Sequence, residues 1–148
     1  MIQINTNMIR EFYKDKTIFL TGATGFVGKV ILEKFFRSLP DVKRIYILVR
    51  PKRGVQIMDR VMKEIFQSPC FEKTRELPHF LQMIKDKIYP IQGDICKDNL
   101  QLSDADRQML IKDLDIIINC AASVDFNEQI SDAININYLG CLRMLDFA

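Results

Sequence analysis

Three glycines at a fixed interval are the residues of this chain best suited to chemistry. Thr21-Gly22-Ala23-Thr24-Gly25-Phe26-Val27-Gly28 has the spacing G-x-x-G-x-x-G and stands between a short apolar run and an amphipathic one. A turn that leaves a strand and opens a helix presents backbone amides to an anion at the positive end of the helix dipole. Gly22 permits the tight turn, Gly25 lets a pyrophosphate approach, and Gly28 lets the helix pack closely on a sheet. The residues Thr21 to Gly28 are therefore expected to bind a dinucleotide; a turn serving chain geometry alone is the plain alternative. A P-loop is excluded, because Ala23 stands where its first glycine belongs and Val30 replaces the Ser/Thr that binds magnesium.

A second feature bears on which dinucleotide. Folds that hold NAD place an acidic residue after their second strand, about 20 residues past the glycines, to bind the ribose 2′-hydroxyl. This chain has Arg50 there, followed by Lys52 and Arg53. A guanidinium grips a 2′-phosphate bidentately, where an aspartate would repel it. The cofactor expected from the residues is NADP(H), against the alternative of solvated cations at a strand end.

These groups need elements to position them. Thr17–Thr21, Arg44–Val49, Ile88–Gln92 and Leu114–Cys120 read as buried strands, the third weakened by Pro90. Between them lie helical patterns. Val27, Val30, Ile31 and Phe35 are predicted to form the apolar face of the first, which Pro40 ends. Val55, Met58, Val61, Met62 and Ile65 mark a second, broken by Pro69. A further helix is expected in the irregular stretch with Phe71, Leu77, Phe80, Leu81 and Ile84. Ser103-Asp104-Ala105-Asp106 has the form of a helix N-terminus, and the last helix is expected to include Ile134–Phe147. Residues 1–16 read as a lead-in with one short helical turn, and residues 17–148 as one domain. The alternation predicts an α/β fold, a Rossmann-type doubly wound parallel sheet of about four strands. Cys120-Ala121-Ala122-Ser123 then falls at a strand's carboxyl end, where the small Ala121 and Ala122 either leave room for the ribose on the nicotinamide side or serve plain packing.

Composition narrows the class. The 148 residues carry a formal net charge of +2, too near neutral for a nucleic-acid partner. Cys70, Cys96, Cys120 and Cys141 are scattered and His79 is the one histidine, so no metal site is expected. Neither a signal peptide nor an apolar segment of membrane-spanning length is legible, and an intracellular protein is expected.

The run from Phe12 to Val30, including Thr21–Gly28, resembles the opening of fatty acyl-CoA reductases, which are extended short-chain dehydrogenase/reductases. The likeness continues through Pro40-Asp41-Val42, Ile45–Lys52, Leu102-Ser103, Cys120–Val124 and Asn137-Tyr138-Leu139-Gly140, and so covers nearly the whole chain. The resemblance implies NADPH-dependent reduction of a long-chain fatty acyl-CoA to a fatty alcohol. A thioester or carboxylic-acid reductase domain and a non-catalytic NADP-binding fragment are the alternatives. It implies that Asp94 meets the adenine amino group and Ile95 the ring, the residue-level alternative being a capping aspartate. By analogy with related thioester reductases, Arg60 is either a further partner of the 2′-phosphate or a surface charge. Asn137 matches a helix asparagine that supports the family's proton relay, or bonds to backbone. Asn119 and Asp125 depart from the pattern, standing where many members have histidine and arginine, and an acidic Asp125 does not favour the phosphates of coenzyme A.

The superfamily's Tyr-x-x-x-Lys pair is missing. Thr17, Arg50, Gly93 and Leu142 lie four residues after Tyr13, Tyr46, Tyr89 and Tyr138. The chain is accordingly expected to be the N-terminal portion of a longer enzyme, inactive alone and prone to self-association through an incomplete sheet. Full-length animal members of the family resemble peroxisomal or endoplasmic-reticulum proteins held by a C-terminal apolar segment, which this sequence does not contain.

Overall fold

The computed structural model describes residues 6–148. Part of the predicted lead-in lies outside these residues; the rest contains a helix of two turns, α1 (Thr6–Tyr13), rather than a single turn. The chain then runs through β1 (Thr17–Leu20), α2 (Phe26–Ser38), β2 (Arg44–Val49) and α3 (Ile57–Val61), which continues as a π-helical turn over Met62–Phe66. Short 3₁₀ turns at Pro69–Phe71 and Thr74–Glu76 lead to α4 (Phe80–Lys87) and β3 (Ile88–Gln92). After a turn at Asp98–Gln101 come α5 (Asp104–Asp113), β4 (Ile116–Ile118), α6 (Ile130–Ile134), a π turn at Asn135–Leu139 and α7 (Gly140–Phe147).

All the strand pairs are parallel, in the order β3-β2-β1-β4. The order reverses between β1 and β4, which makes their carboxyl ends a topological switch point. Strand alternation sends side chains to two cores. Ile18, Leu20, Ile45, Ile47 and Val49 pack on one face with Leu32, Phe35 and Phe36 of α2, Val61, and Phe80 and Ile84 of α4. Phe19, Tyr46, Leu48 and Ile91 pack on the other with Leu110 of α5 and Met144 of α7. Phe36, Phe66, Phe71 and Phe80 form an aromatic cluster with ring centroids 5.1–6.2 Å apart. Ring pairs at such distances attract beyond their burial, which anchors the irregular segment between α3 and α4.

Several expectations need correction. The buried face of α2 is Gly28, Leu32, Phe35 and Phe36, whereas Val27 and Val30 are 56% and 45% exposed. Gly28 packs against the backbone of Gly22 and Ala23 in the glycine turn, and with Gly28 facing inward the two valines fall on the outer side of the helix. Leu77 and Leu81 are likewise exposed. Among the described residues the fourth strand is three residues long, half-buried and paired to β1 alone, at one edge of the four strands. The last helix contains Ile134–Phe147 as expected, and it begins at Ile130. Pro90 sits inside β3 without breaking it; β3 is the other edge, where a missing N–H on the outer side costs no ladder bond.

Asp115 ties the start of the sheet together. Its carboxylate accepts from the amide of Thr17 at 2.7 Å and from Lys16 Nζ at 3.1 Å. The amide first and the ammonium beside it hold the carboxyl below the usual aspartate range. A depressed folded-state value stabilises the protein above about pH 4 and is lost as acid protonates the group. Chemical denaturation of Asp115→Asn should therefore show its largest deficit against wild type near neutral pH and a shrinking one below about pH 4. A deficit that is constant with pH would refute this.

Between β3 and α5, Asn99, Leu100 and Gln101 have φ of 51°, 56° and 53°. This left-handed run lets the carbonyl of Leu100 accept from the amide of Asp94 at 2.8 Å while the Leu100 side chain stays buried. The conformation costs a non-glycine residue roughly 1–2 kcal/mol. Gln101 is exposed, and Gln101→Gly should stabilise the protein by about 0.5–1 kcal/mol once the glycine's extra unfolded-state entropy is subtracted. A higher midpoint in urea checks this, and an unchanged or lower one counts against it.

Candidate functional site

The site is assembled where β1 and β4 end. Thr21 is fully buried, and its hydroxyl donates to Asn119 Oδ1 at 2.5 Å while accepting from the amides of Cys120 and Ala121, each at 3.1 Å. That one oxygen fixes the height of the glycine turn against the end of β4. Gly22 follows with φ +67°, and a Cβ there would lie 2.7 Å from the backbone of Cys120 and Ala121. The Gly25 amide closes the turn onto the Gly22 carbonyl at 2.9 Å. Gly25 is then the N-cap of α2, with extended backbone and no side-chain cap. The first amides of a thirteen-residue helix are thus left for an anion.

Above the turn lies a cavity of about 430 Å³, within the size range of small-molecule and cofactor sites. The glycine turn contributes Thr21, Gly22, Thr24 and Gly25. The end of β2 brings Leu48 and Arg50, with Arg60 from α3. The end of β3 brings Gly93, Asp94, Ile95 and Cys96, and the end of β4 brings Cys120, Ala121, Ala122 and Ser123. Asp125, Glu128 and Ile136 complete the wall.

Most residues named from the sequence meet at this cavity: Thr21, Gly22, Thr24, Gly25, Arg50, Arg60, Asp94, Ile95, Ala121 and Ala122 all line it. Ala23 is buried beneath the turn, and Gly28 lies behind it against Gly22. Phe26 and Val27, 84% and 56% exposed, are not among the lining residues. Asn137 also lies off the wall, and both ends of its carboxamide bond the Ser123 backbone: Oδ1 accepts from the amide at 2.8 Å and Nδ2 donates to the carbonyl at 3.0 Å. It fastens α6–α7 to the segment that follows β4. Leu48, Glu128 and Ile136 were not foreseen. For Leu48 a signal existed, since it stands at the carboxyl end of a parallel strand, where such sites form. Glu128 sits in a loop without periodicity, and no pattern marks it.

Charge is divided across the cavity, with Arg50 and Arg60 on the β2 side and Asp125 and Glu128 on the β4 side. Asp94 Oδ1 accepts from the Cys96 amide at 2.9 Å, which orients the carboxylate. Burial first, then the neighbouring Asp94 charge, pushes the Cys96 thiol up, so it remains protonated and is no nucleophile at neutral pH. Among the described residues, no group of three His, Cys, Asp or Glu side chains is placed to hold a metal ion, and no helix is long and apolar enough to cross a membrane.

A parallel sheet with a glycine turn under a switch-point cavity, and an uncapped helix start beside it, defines a dinucleotide-binding domain of the doubly wound class. Residues 20–148 match the family model described as male sterility protein, an NAD-binding domain, and the chain belongs to that family. Its cofactor is accordingly a nicotinamide dinucleotide. Fatty acyl-CoA reductase 1 of Gallus gallus is 43% identical over 141 residues, covering 95% of this chain and 26% of the relative. Fatty acyl-CoA reductase 2 of Mus musculus is 41% identical over 139 residues, covering 94% and 26%. Among solved structures, the terminal R domain of the myxalamid PKS-NRPS biosynthetic pathway is 32% identical with a TM-score of 0.72, over 91% of this chain and 32% of that one. The chain spans about a quarter of the length of the curated relatives it matches.

Proposed function

We propose that this chain is the NADP(H)-binding part of a reductase that converts long-chain fatty acyl-CoA to fatty alcohol. The observation that carries the cofactor reading is Arg50 at the cavity rim, directly after β2, with Arg60 beside it. Identity above 40% with fatty acyl-CoA reductases supports the substrate class.

In this reading Gly22, Thr24 and Gly25 accept the pyrophosphate against the start of α2. Arg50 and Arg60 hold the 2′-phosphate. Asp94 accepts from the adenine amino group, and Ile95 covers the ring. Ala121 and Ala122 admit the ribose on the nicotinamide side, and Asn137 keeps the Ser123 segment at the height this requires. The bound cofactor supplies hydride to the thioester carbonyl. The acidic pair Asp125 and Glu128 keeps the phosphates of the acyl donor away from the β4 side of the cavity.

A second reading, reduction of a carrier-bound thioester, draws on the 32% identity with the myxalamid R domain. One assay separates them. The full-length protein is given NADPH with either a long-chain acyl-CoA or an acylated carrier protein, and products are identified by mass spectrometry. Fatty alcohol from acyl-CoA is expected. Turnover of the carrier-bound substrate alone would select the second reading, and turnover of neither would remove both.

A further inference from the structure

We propose that Glu64 is a positioning residue for the cofactor's 2′-phosphate: it holds the guanidinium of Arg60 at the cavity rim and thereby sets the preference for NADPH over NADH. The inference rests on the reading of Arg50 and Arg60 as the phosphate's partners, and it concerns a residue that does not itself line the cavity.

Arg60 Nε donates to Glu64 Oε1 at 2.8 Å, and Arg60 Nη1 donates to the backbone carbonyl of Arg50. These two contacts, on different nitrogens, fix the plane of the guanidinium as well as its position. Arg60 is half-buried, with 16% of its side chain exposed, so the pair is less screened than an ordinary surface pair. Its place is specific. Arg50 and Arg60 line both the main cavity and a second one of about 140 Å³ that opens beside the end of β2. Arg60 therefore stands at the wall the two spaces share.

The fold explains why Glu64 can do this. Arg60 lies in the last turn of the α-helical part of this element and Glu64 in the π turn that follows, between the exposed Lys63 and the buried Ile65 and Phe66. The wider turn seats Ile65 and Phe66 together in the core and so pins Glu64 to a rigid support. The hydrogen bond from Arg60 first, then the charges of Arg60, Lys52 and Lys29, hold the Glu64 carboxyl below the usual range. It stays ionised at neutral pH.

Two effects of Glu64 oppose each other. Its charge repels any phosphate nearby, the pyrophosphate of NADH included. Its hold on Arg60 favours only the ligand that reaches Arg60. A flexible arginine loses rotamer freedom when it grips a phosphate, and here that freedom is already lost in the free protein. The repulsion is weakened by the surrounding cations, so positioning prevails.

The test is fluorescence titration of the full-length protein with NADPH and NADH, which differ only in the 2′-phosphate. Glu64→Ala should weaken NADPH binding about three- to tenfold while leaving NADH within about twofold. Glu64→Gln keeps an acceptor for Arg60 Nε and should restore the wild-type ratio. In an Arg60→Ala background, Glu64→Ala should change nothing further. Glu64→Leu, which keeps the stem and the helix preference, serves if the alanine variant does not fold. An unchanged NADPH/NADH ratio in Glu64→Ala, or tighter NADPH binding, would overturn the proposal while leaving the cofactor reading intact. Equal binding of the two cofactors by the wild type would overturn both.

Discussion

Gly28→Ala should destabilise the protein by about 3 kcal/mol and weaken cofactor binding by about a hundredfold. A Cβ on Gly28 would lie 2.2 Å from the carbonyl oxygen of Gly22 and 2.8 Å from Ala23 Cα. Those atoms are backbone, so no side-chain rotation relieves the overlap. Either α2 lifts from the sheet or the turn shifts by about an ångström, which is enough to disorganise a bound group. Both adjustments disturb the hydrogen bonds that lock Thr21 to the end of β4. Urea denaturation reads the first effect and NADPH titration the second. A variant with wild-type midpoint and affinity would show that the tight packing at Gly28 is dispensable.

Arg50→Asp should turn the cofactor preference from NADPH toward NADH. The substitution removes charge-assisted hydrogen bonds to the 2′-phosphate, each worth about 1.5–3 kcal/mol, and adds repulsion. It also supplies the carboxylate that binds a ribose 2′-hydroxyl in NAD-dependent folds. Because Arg50 is exposed at the rim, screening limits the gain. The ratio of NADPH to NADH affinity should fall by about a hundredfold at low salt, and by less as salt rises. Titrations with both cofactors at two ionic strengths measure it. An unchanged ratio would mean that Arg50 is a solvated cation with no part in holding the 2′-phosphate.

The strands and the glycine turn were legible because they rest on local signals. The runs Arg44–Val49 and Ile88–Gln92 are largely apolar, are closed on their carboxyl sides by Pro51 and Gly93, and coincide with β2 and β3. Ser103 acts as the cap its type suggests, accepting from the Asp106 amide at 3.1 Å. What local pattern could not carry is orientation and neighbourhood. Val27 and Val30 fit a helical stripe, yet the contact at Gly28 decides which way α2 faces. Leu114–Cys120 is apolar throughout, but only Ile116–Ile118 find a partner strand. The left-handed run at Asn99–Gln101 has no glycine to announce it; a distant hydrogen bond, from Asp94 to Leu100, holds it in place. Glu64 was invisible for the same reason: an acid four residues after Arg60 on an exposed helix reads as an ordinary surface pair until Arg50 is brought beside it.

The strand order carries a consequence for how the protein is made. β1, β2 and β3 pair between neighbours in the chain, and with α2, α3 and α4 they supply the buried residues of the core on one face of the sheet, which Ile116, Ile118 and Cys120 flank later. The contacts that close the pocket come much later: Thr21 and Asn119 are 98 positions apart, and Thr21 and Ala121 are 100 apart. On a ribosome adding roughly 5–20 residues per second, the glycine turn waits about 5–20 seconds for its partner. A nascent chain stalled before β4 should therefore hold a protease-resistant three-strand nucleus that has no affinity for nucleotide. Cofactor in the cell then acts as a late selector, favouring only those chains whose fourth strand has docked on the correct side of the first.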